Sequence, residues 1–259
     1  MAERAEEVGV AKASLRFDRL LALSILAGSF IALGGTFALT AGTGSGDLPY
    51  GVGRLLVGLV FSLGLVLVVV GGAELFTGNN LLVMAWASGK VSTVALLRNW
   101  AVVFLGNFVG SVATAGLLAL SGFHEFAGGS VATTAVAVAR LKVDLGFGEA
   151  IIRGVLCNVL VCLAVWLTFS ARSTVDRVAV IVPPISAFVA CGFEHSVANM
   201  FFVPYALFLP TEVVPVGTLS WTAFLVHNLL PVTIGNVLGG GVLVGAVYWF
   251  IYLRRTDAG

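Results

Sequence analysis

Charge is what this chain has least of. Only 10% of its 259 residues are Asp, Glu, Lys or Arg, and 14 basic residues against 13 acidic ones leave a formal net charge of +1. A soluble domain carries about 25% charged residues, so this chain cannot cover a globule of its own size with polar side chains. The absence of a basic excess also excludes a nucleic-acid binder, which needs cations against phosphates. Cysteine is nearly as scarce. Cys157, Cys162 and Cys191 stand in apolar runs without a Cys-x-x-Cys pair, so neither a disulfide framework nor a zinc site is indicated, and buried thiols are expected. No His-Glu-x-x-His motif occurs, and no Lys-Ser/Thr follows the glycine-rich stretch Gly42-Thr43-Gly44-Ser45-Gly46. Metal hydrolysis and nucleotide binding lose their usual signatures, and no cofactor is expected.

What is abundant is apolar: 59% of residues are hydrophobic and the mean hydropathy is +1.05. A helix crossing a hydrocarbon layer of about 30 Å needs about 20 apolar residues. Six such segments are legible, at about 20–40, 53–87, 97–120, 150–169, 178–204 and 224–253. The second is interrupted at Gly71-Gly72-Ala73-Glu74, and the fifth carries Pro183-Pro184 before a break at Cys191-Gly192-Phe193-Glu194-His195. The expected organisation is a cytoplasmic lead-in at residues 1–19, one membrane domain over 20–255 and a short tail at 256–259. Arg4, Lys12, Arg16, Arg19, Lys90, Arg98, Arg172, Arg177, Arg254 and Arg255 then gather on one face, with Arg54, Arg140, Lys142 and Arg153 toward the other, while the loop after the fifth segment has Glu212 and no cation. Positive charge marks the inside, so both termini are expected in the cytoplasm.

Two patterns recur in order. Gly72-Ala73-Glu74-Leu75-Phe76-Thr77-Gly78-Asn79 and Gly192-Phe193-Glu194-His195-Ser196-Val197-Ala198-Asn199 are both G-x-E-x-x-x-x-N. Asn99 with Gly106-Asn107-Phe108-Val109-Gly110 and Asn228 with Gly235-Asn236-Val237-Leu238-Gly239 share N-x-x-x-x-x-x-G-N-x-x-G. Each half, about 20–121 and 148–255, holds three crossings, an odd number, so the copies run in opposite directions. The expected fold is an all-α membrane protein of two inverted three-helix repeats, with helices two and five broken at the membrane midplane.

Broken backbone at that depth must be buried in protein or line a watery path. Glu74 and Glu194 flank the breaks and either cap free amides there or serve the path. His195 lies at a break beside a carboxylate, and its proton equilibrium is the side-chain one nearest physiological pH. By the repeat it faces the stretch containing Thr77, whose hydroxyl either serves the path or bonds back to its own helix. Phe61, Leu65, Leu75, Phe76 and Phe188 are candidates for apolar constrictions or for plain packing. Lys142 either draws anions toward the mouth or is a solvated loop residue. The neighbouring Glu194, His195 and Ser196 hint at an intramembrane enzyme, but adjacent helical residues point in different directions, and no enzyme is expected.

Four segments resemble the signatures of the formate/nitrite transporter family: Ala73 to Asn79, Asn158-Val159-Leu160-Val161-Cys162-Leu163-Ala164-Val165-Trp166, Gly192 to Met200, and Asn228 to Asn236. The resemblance implies an aquaporin-like homopentamer in the cytoplasmic (inner) membrane of a prokaryote, one pore per subunit, passing formate, nitrite or hydrosulfide. It implies a central pore histidine at His195 and a hydroxyl partner at Thr77. Asn158 and Glu194 would orient the histidine, Lys142 would sit in a vestibule and Asn228 near the pore, with Phe61, Leu65 and Phe188 as constrictions. It leaves open whether a proton is shed or travels with the anion. Leu230-Pro231-Val232-Thr233 and the Tyr248-Trp249 ending resemble formate channels, whereas His227 is closer to nitrite channels.

Overall fold

The computed structural model describes residues 1–210, 217 and 219–254. Glu212, Arg255 and the expected tail at 256–259 lie outside the described residues. Helices account for all regular structure among the described residues: α1 (Ala2–Ala13), α2 (Phe17–Gly42), α3 (Tyr50–Phe61), α4 (Leu63–Gly71), α5 (Val83–Ala87), α6 (Thr93–Leu120), α7 (Ser130–Val143), α8 (Phe147–Thr168), α9 (Thr174–Ala190), α10 (Ser196–Phe208), α11 (Leu230–Val237) and α12 (Val247–Tyr252). Five stretches are long and apolar enough to cross a membrane: Phe17–Gly42, Tyr50–Gly71, Thr93–Leu120, Phe147–Thr168 and Ala223–Tyr252. Their outer faces carry exposed Leu26, Leu33, Phe37, Leu105 and Leu117, the pattern of helices that meet lipid rather than water.

The apolar run at 178–204 is divided between α9 and α10, with a non-helical stretch between Cys191 and His195. The run at 53–87 divides similarly after Gly71, resuming in a 3-10 turn at Gly78–Leu82 and in α5. Gly72 and Gly192 adopt φ of +76° and +73°, a left-handed conformation that glycine enters without a side-chain penalty. Each break is closed by a six-to-one backbone bond, Ala73 N–H to Val68 O at 2.9 Å and Phe193 N–H to Phe188 O at 3.0 Å, as in a Schellman helix ending.

Two helix pairs form the frame. α2 packs on α6, and α8 packs on α11, both at distances that only glycine permits. A Cβ on Gly110 would fall 2.0 Å from the Ile25 carbonyl oxygen, and one on Gly28 2.2 Å from that of Asn107. In the other half, Gly235 and Gly239 stand against the Ile151 and Val155 carbonyls, each at 2.2 Å. Without a hydrophobic force between helices in lipid, close backbone contact supplies the attraction.

Three features depart from the sequence expectations. The stretch before Lys142 is the helix α7, not a loop, whereas the lead-in at 1–19, expected as amphipathic or loose, contains α1, which packs on α5, and is no departure. The last crossing is not uniform: Ala223–Leu229 and Leu238–Ala246 are π-helical, and wide turns of this kind commonly carry functional side chains. Cys157 and Cys162 are buried as expected, but Cys191 is exposed.

Candidate functional site

The site is built where the two breaks meet. Asn107 on α6 accepts the Phe76 N–H at 2.9 Å and donates to the carbonyls of Ser24 at 2.7 Å and Glu74 at 2.9 Å. Asn236 on α11 repeats the pattern, accepting the Ser196 N–H at 2.9 Å and donating to Gly154 O at 2.8 Å and Glu194 O at 3.0 Å. Amides freed by each break are thus satisfied by asparagine. The capping alternative for the two glutamates is thereby corrected, because their carboxylates bond side chains instead.

Those carboxylates anchor two matching networks. Glu194 takes Lys142 Nζ at 3.1 Å and Asn199 Nδ2 at 2.6 Å. Asn199 also donates to Asn228 Oδ1 at 2.7 Å, and Asn228 donates to the Lys142 carbonyl at 2.8 Å. Glu74 takes Lys12 Nζ at 2.9 Å and Asn79 Nδ2 at 2.7 Å. Asn79 then donates to Asn99 Oδ1 at 3.0 Å, and Asn99 to the Lys12 carbonyl at 3.1 Å. Lys142 is therefore an ion-paired, largely buried residue and not a solvated one; its side chain is 13% exposed. Lys12 and Asn99 were not singled out from the sequence as site residues. A third repeated pattern marks the lysine: Lys12-Ala13-Ser14-Leu15-Arg16-Phe17 and Lys142-Val143-Asp144-Leu145-Gly146-Phe147 are both K-x-x-L-x-F.

His195 precedes α10, and its Nδ1 accepts the Ala198 N–H at 3.0 Å. With that lone pair engaged, the neutral ring carries its proton on Nε2, which lies 2.9 Å from Thr77 Oγ1. Thr77 accepts this bond and keeps its own hydroxyl proton to donate. The alternative of a Thr77 hydroxyl bonded back to its helix does not apply.

Asn158 and Glu194, expected to orient the histidine, make no hydrogen bond to its ring. Asn158 holds the Thr77 side of the pair instead, donating to Thr77 O at 3.2 Å, Asn80 Oδ1 at 3.2 Å and Asn236 O at 2.7 Å. Cys162 Sγ adds a contact to Thr77 O at 3.3 Å.

Two cavities approach this pair from opposite directions. One, of ≈ 700 Å³, is lined by Lys142, Glu194, His195, Phe61, Phe188 and Gly192. The other, of ≈ 280 Å³, is lined by Lys12, Glu74, Leu65, Leu75, Gly72 and Asn79. Phe188 stacks on His195 with centroids 5.7 Å apart and meets Phe61 edge-on at 5.8 Å. Phe202, which sequence reasoning missed, stacks on Phe61 at 6.4 Å and carries Lys142 Nζ 5.5 Å from its centroid. Phe76 lines neither cavity and packs between Trp100 and Phe104. His227 is exposed and likewise lines neither.

A family model described as formate/nitrite transporter matches residues 1–250. The chain belongs to the formate/nitrite transporter family. It is 43% identical to the formate channel FocA of Escherichia coli K12, over 99% of this chain and 94% of that one. It is 40% identical to a probable formate transporter of Methanothermobacter thermautotrophicus, over 92% and 90%. Among solved structures it resembles a pentameric formate channel with formate bound, at TM-score 0.86, 44% identity and coverage of 92% and 98%. It also resembles an FNT family ion channel, at TM-score 0.87 and 31% identity, covering 96% and 98%. These relatives are channels and transporters, not enzymes, and this member of the formate/nitrite transporter family is a multi-pass membrane protein.

Proposed function

We propose that the chain forms a pore for small monovalent anions of weak acids, with formate as the main substrate, and that it works as a homopentamer with one pore per subunit. The observation that carries this reading is the pair of opposed cavities, each walled by a lysine and its paired glutamate, one reaching His195 and the other reaching Leu75 and Gly78 on either side of its partner Thr77. The relatives named for formate, one of them a pentamer with formate bound, support substrate and assembly.

The reading includes six crossings arranged as two inverted repeats, α9 and α10 together making the fifth. The matched hydrogen bonds of Lys12, Glu74, Asn79, Asn99 and Asn107 with those of Lys142, Glu194, Asn199, Asn228 and Asn236 support it. The count of basic residues supports both termini in the cytoplasm, and kinship with prokaryotic relatives supports a place in a prokaryotic inner membrane.

A bare carboxylate moved into a medium of low dielectric costs on the order of tens of kcal/mol. The lysines concentrate the anion in the cavities, and Phe61, Leu65, Leu75 and Phe188 strip its water. In the narrow stretch, Thr77 O–H supplies a hydrogen bond that water gave up, and His195 Nε2–H supplies a second by exchanging Thr77 Oγ1 for the anion. Proton transfer to the anion is the limiting form of the same interaction, with the proton shed or carried through.

Nitrite and hydrosulfide, which the family resemblance also implies, are the second reading, and for nitrite His227 is the residue that resembles its channels. Its exposure outside both cavities favours formate. Uptake of labelled formate, nitrite and hydrosulfide into proteoliposomes over a pH series tests the proposal. Formate is expected to enter fastest; uptake no faster than into protein-free liposomes overturns it.

A further inference from the structure

The α9 half-helix ends at Ala190 and turns its last carbonyls toward the Lys142 cavity, whose lining includes Val189, Cys191 and Gly192. The final carbonyls of a helix have no intrahelical donors and carry a partial negative charge of about half a unit. Left bare, that end would repel the anion which Lys142 attracts. Two arginines cover it. Arg54 of α3 donates through Nη2 to Val189 O at 2.6 Å and through Nε to Ala190 O at 3.0 Å. Arg153 of α8 donates through Nη1 to Gly192 O at 3.4 Å, with Glu149 holding its Nη2 at 2.5 Å. Both guanidiniums are half-buried and line the cavity.

The opposite mouth lacks this device. The backbone carbonyl of Leu23 accepts Glu74 N–H at 3.2 Å just as that of Arg153 accepts Glu194 N–H at 3.3 Å, so a leucine occupies the position of Arg153 in the first repeat. Among the described residues no side chain donates to the last carbonyls of α4. The cations lining that cavity are Lys12, Arg4 and Arg177: Lys12 pairs with Glu74 and Arg4 donates to Phe169 O at 3.1 Å, beyond the end of α8.

We propose that Arg54 and Arg153 are entry-determining residues that reverse the sign of the α9 terminus and thereby set how readily anions enter from the Lys142 mouth, leaving entry from the Lys12 mouth unaffected. The inference rests on the reading of the chain as an anion pore.

Formate entry is measured in right-side-out and in inverted membrane vesicles bearing the wild type, Arg54→Gln, Arg54→Lys, or Arg54→Gln with Arg153→Gln. At about 10 mM ionic strength, Arg54→Gln is expected to raise the half-saturating formate concentration about fivefold on one face only, the double variant raises it further, and Arg54→Lys restores much of the loss. At about 1 M salt, where the screening length falls to about 3 Å, the difference closes. The wild type alone is expected to show the stronger salt dependence on that same face, a readout that survives if a glutamine variant fails to assemble. A rise on both faces, a rise that persists in high salt, or a fall in maximal rate at unchanged half-saturation overturns the proposal. Absence of formate entry with the wild type overturns the pore reading instead.

Discussion

Thr77 Oγ1 lies 2.9 Å from His195 Nε2, although 118 residues separate them in the chain. Each lies beside the break in a different apolar run, so this bond joins the two breaks side chain to side chain, with Asn158 and Cys162 holding the Thr77 carbonyl beside it. Its loss is the most direct test of the site. Thr77→Val leaves a buried N–H without a partner, which costs about 1–3 kcal/mol and lowers the midpoint of thermal unfolding in detergent. Formate flux is expected to drop about tenfold, the factor that 1.4 kcal/mol of barrier represents, while Thr77→Ser keeps both near wild type.

His195→Phe separates hydrogen bonding from proton relay. The substitution removes the cap on Ala198 N–H as well as the donor to Thr77. Formate uptake is expected to fall and to lose its dependence on pH. Uptake that keeps the wild-type pH profile rules out a relay through this ring.

Removing one partner of a buried ion pair strands the other charge, at a cost of about 3–5 kcal/mol. Lys12→Met is therefore expected to destabilise the protein by that order through Glu74, whose side chain is 6% exposed. Lys12→Met combined with Glu74→Gln recovers most of the stability without recovering flux. Thermal unfolding beside vesicle uptake distinguishes the two; recovery of both shows that Lys12 only packs.

Gly235→Ala puts a methyl group against the Ile151 carbonyl at 2.2 Å. Overpacking of this kind costs about 1–3 kcal/mol and pushes α11 from α8, moving Asn236 off the Ser196 amide. Lower oligomer yield on size exclusion is expected, together with a lower unfolding midpoint.

The start of α9 offers a pH test away from the pore. Asp176 accepts the N–H groups of Arg172 and Ser173, each at 2.9 Å, and Ser173 Oγ accepts the Asp176 N–H at 3.1 Å. The Arg172 backbone bond first, then the Ser173 hydroxyl and amide, hold this carboxyl below its ordinary 3.8. A depressed value means that the cap stabilises the fold above the unfolded-state pKa and that this contribution disappears as pH falls through the folded one. Asp176→Asn should lower the unfolding midpoint slightly at neutral pH and leave it equal to wild type in strong acid.

Much of this was legible because charge is so sparse. Glu74 and Glu194 stood out inside apolar runs, and of the recurring asparagines Asn79, Asn199 and Asn228 bond them directly while Asn99 bonds Asn79. The roles were less legible than the positions. Phe76 shares the constriction candidates' character yet turns toward Trp100 and Phe104, because its backbone amide is tied to Asn107 and the side chain must point to the α6 side. Phe202 looked like one of several phenylalanines of α10 until its ring met Phe61. Lys12 fell within a lead-in rich in other charges, so only the faint K-x-x-L-x-F repeat connects it to Lys142.

By itself the sequence determined that the chain belongs in lipid, where apolar runs fall and where the runs break, since each follows from composition and from local signals such as Gly72, Gly192 and Pro183-Pro184. Tertiary structure alone decided which polar atoms meet. A carboxylate, an amide or a hydroxyl can bond any partner the chain brings near, and the partner's identity depends on how helices far apart in sequence pack. Close glycine contacts between α2 and α6 and between α8 and α11 set that packing, and with it the joining of Lys12 to Glu74, Lys142 to Glu194 and Thr77 to His195.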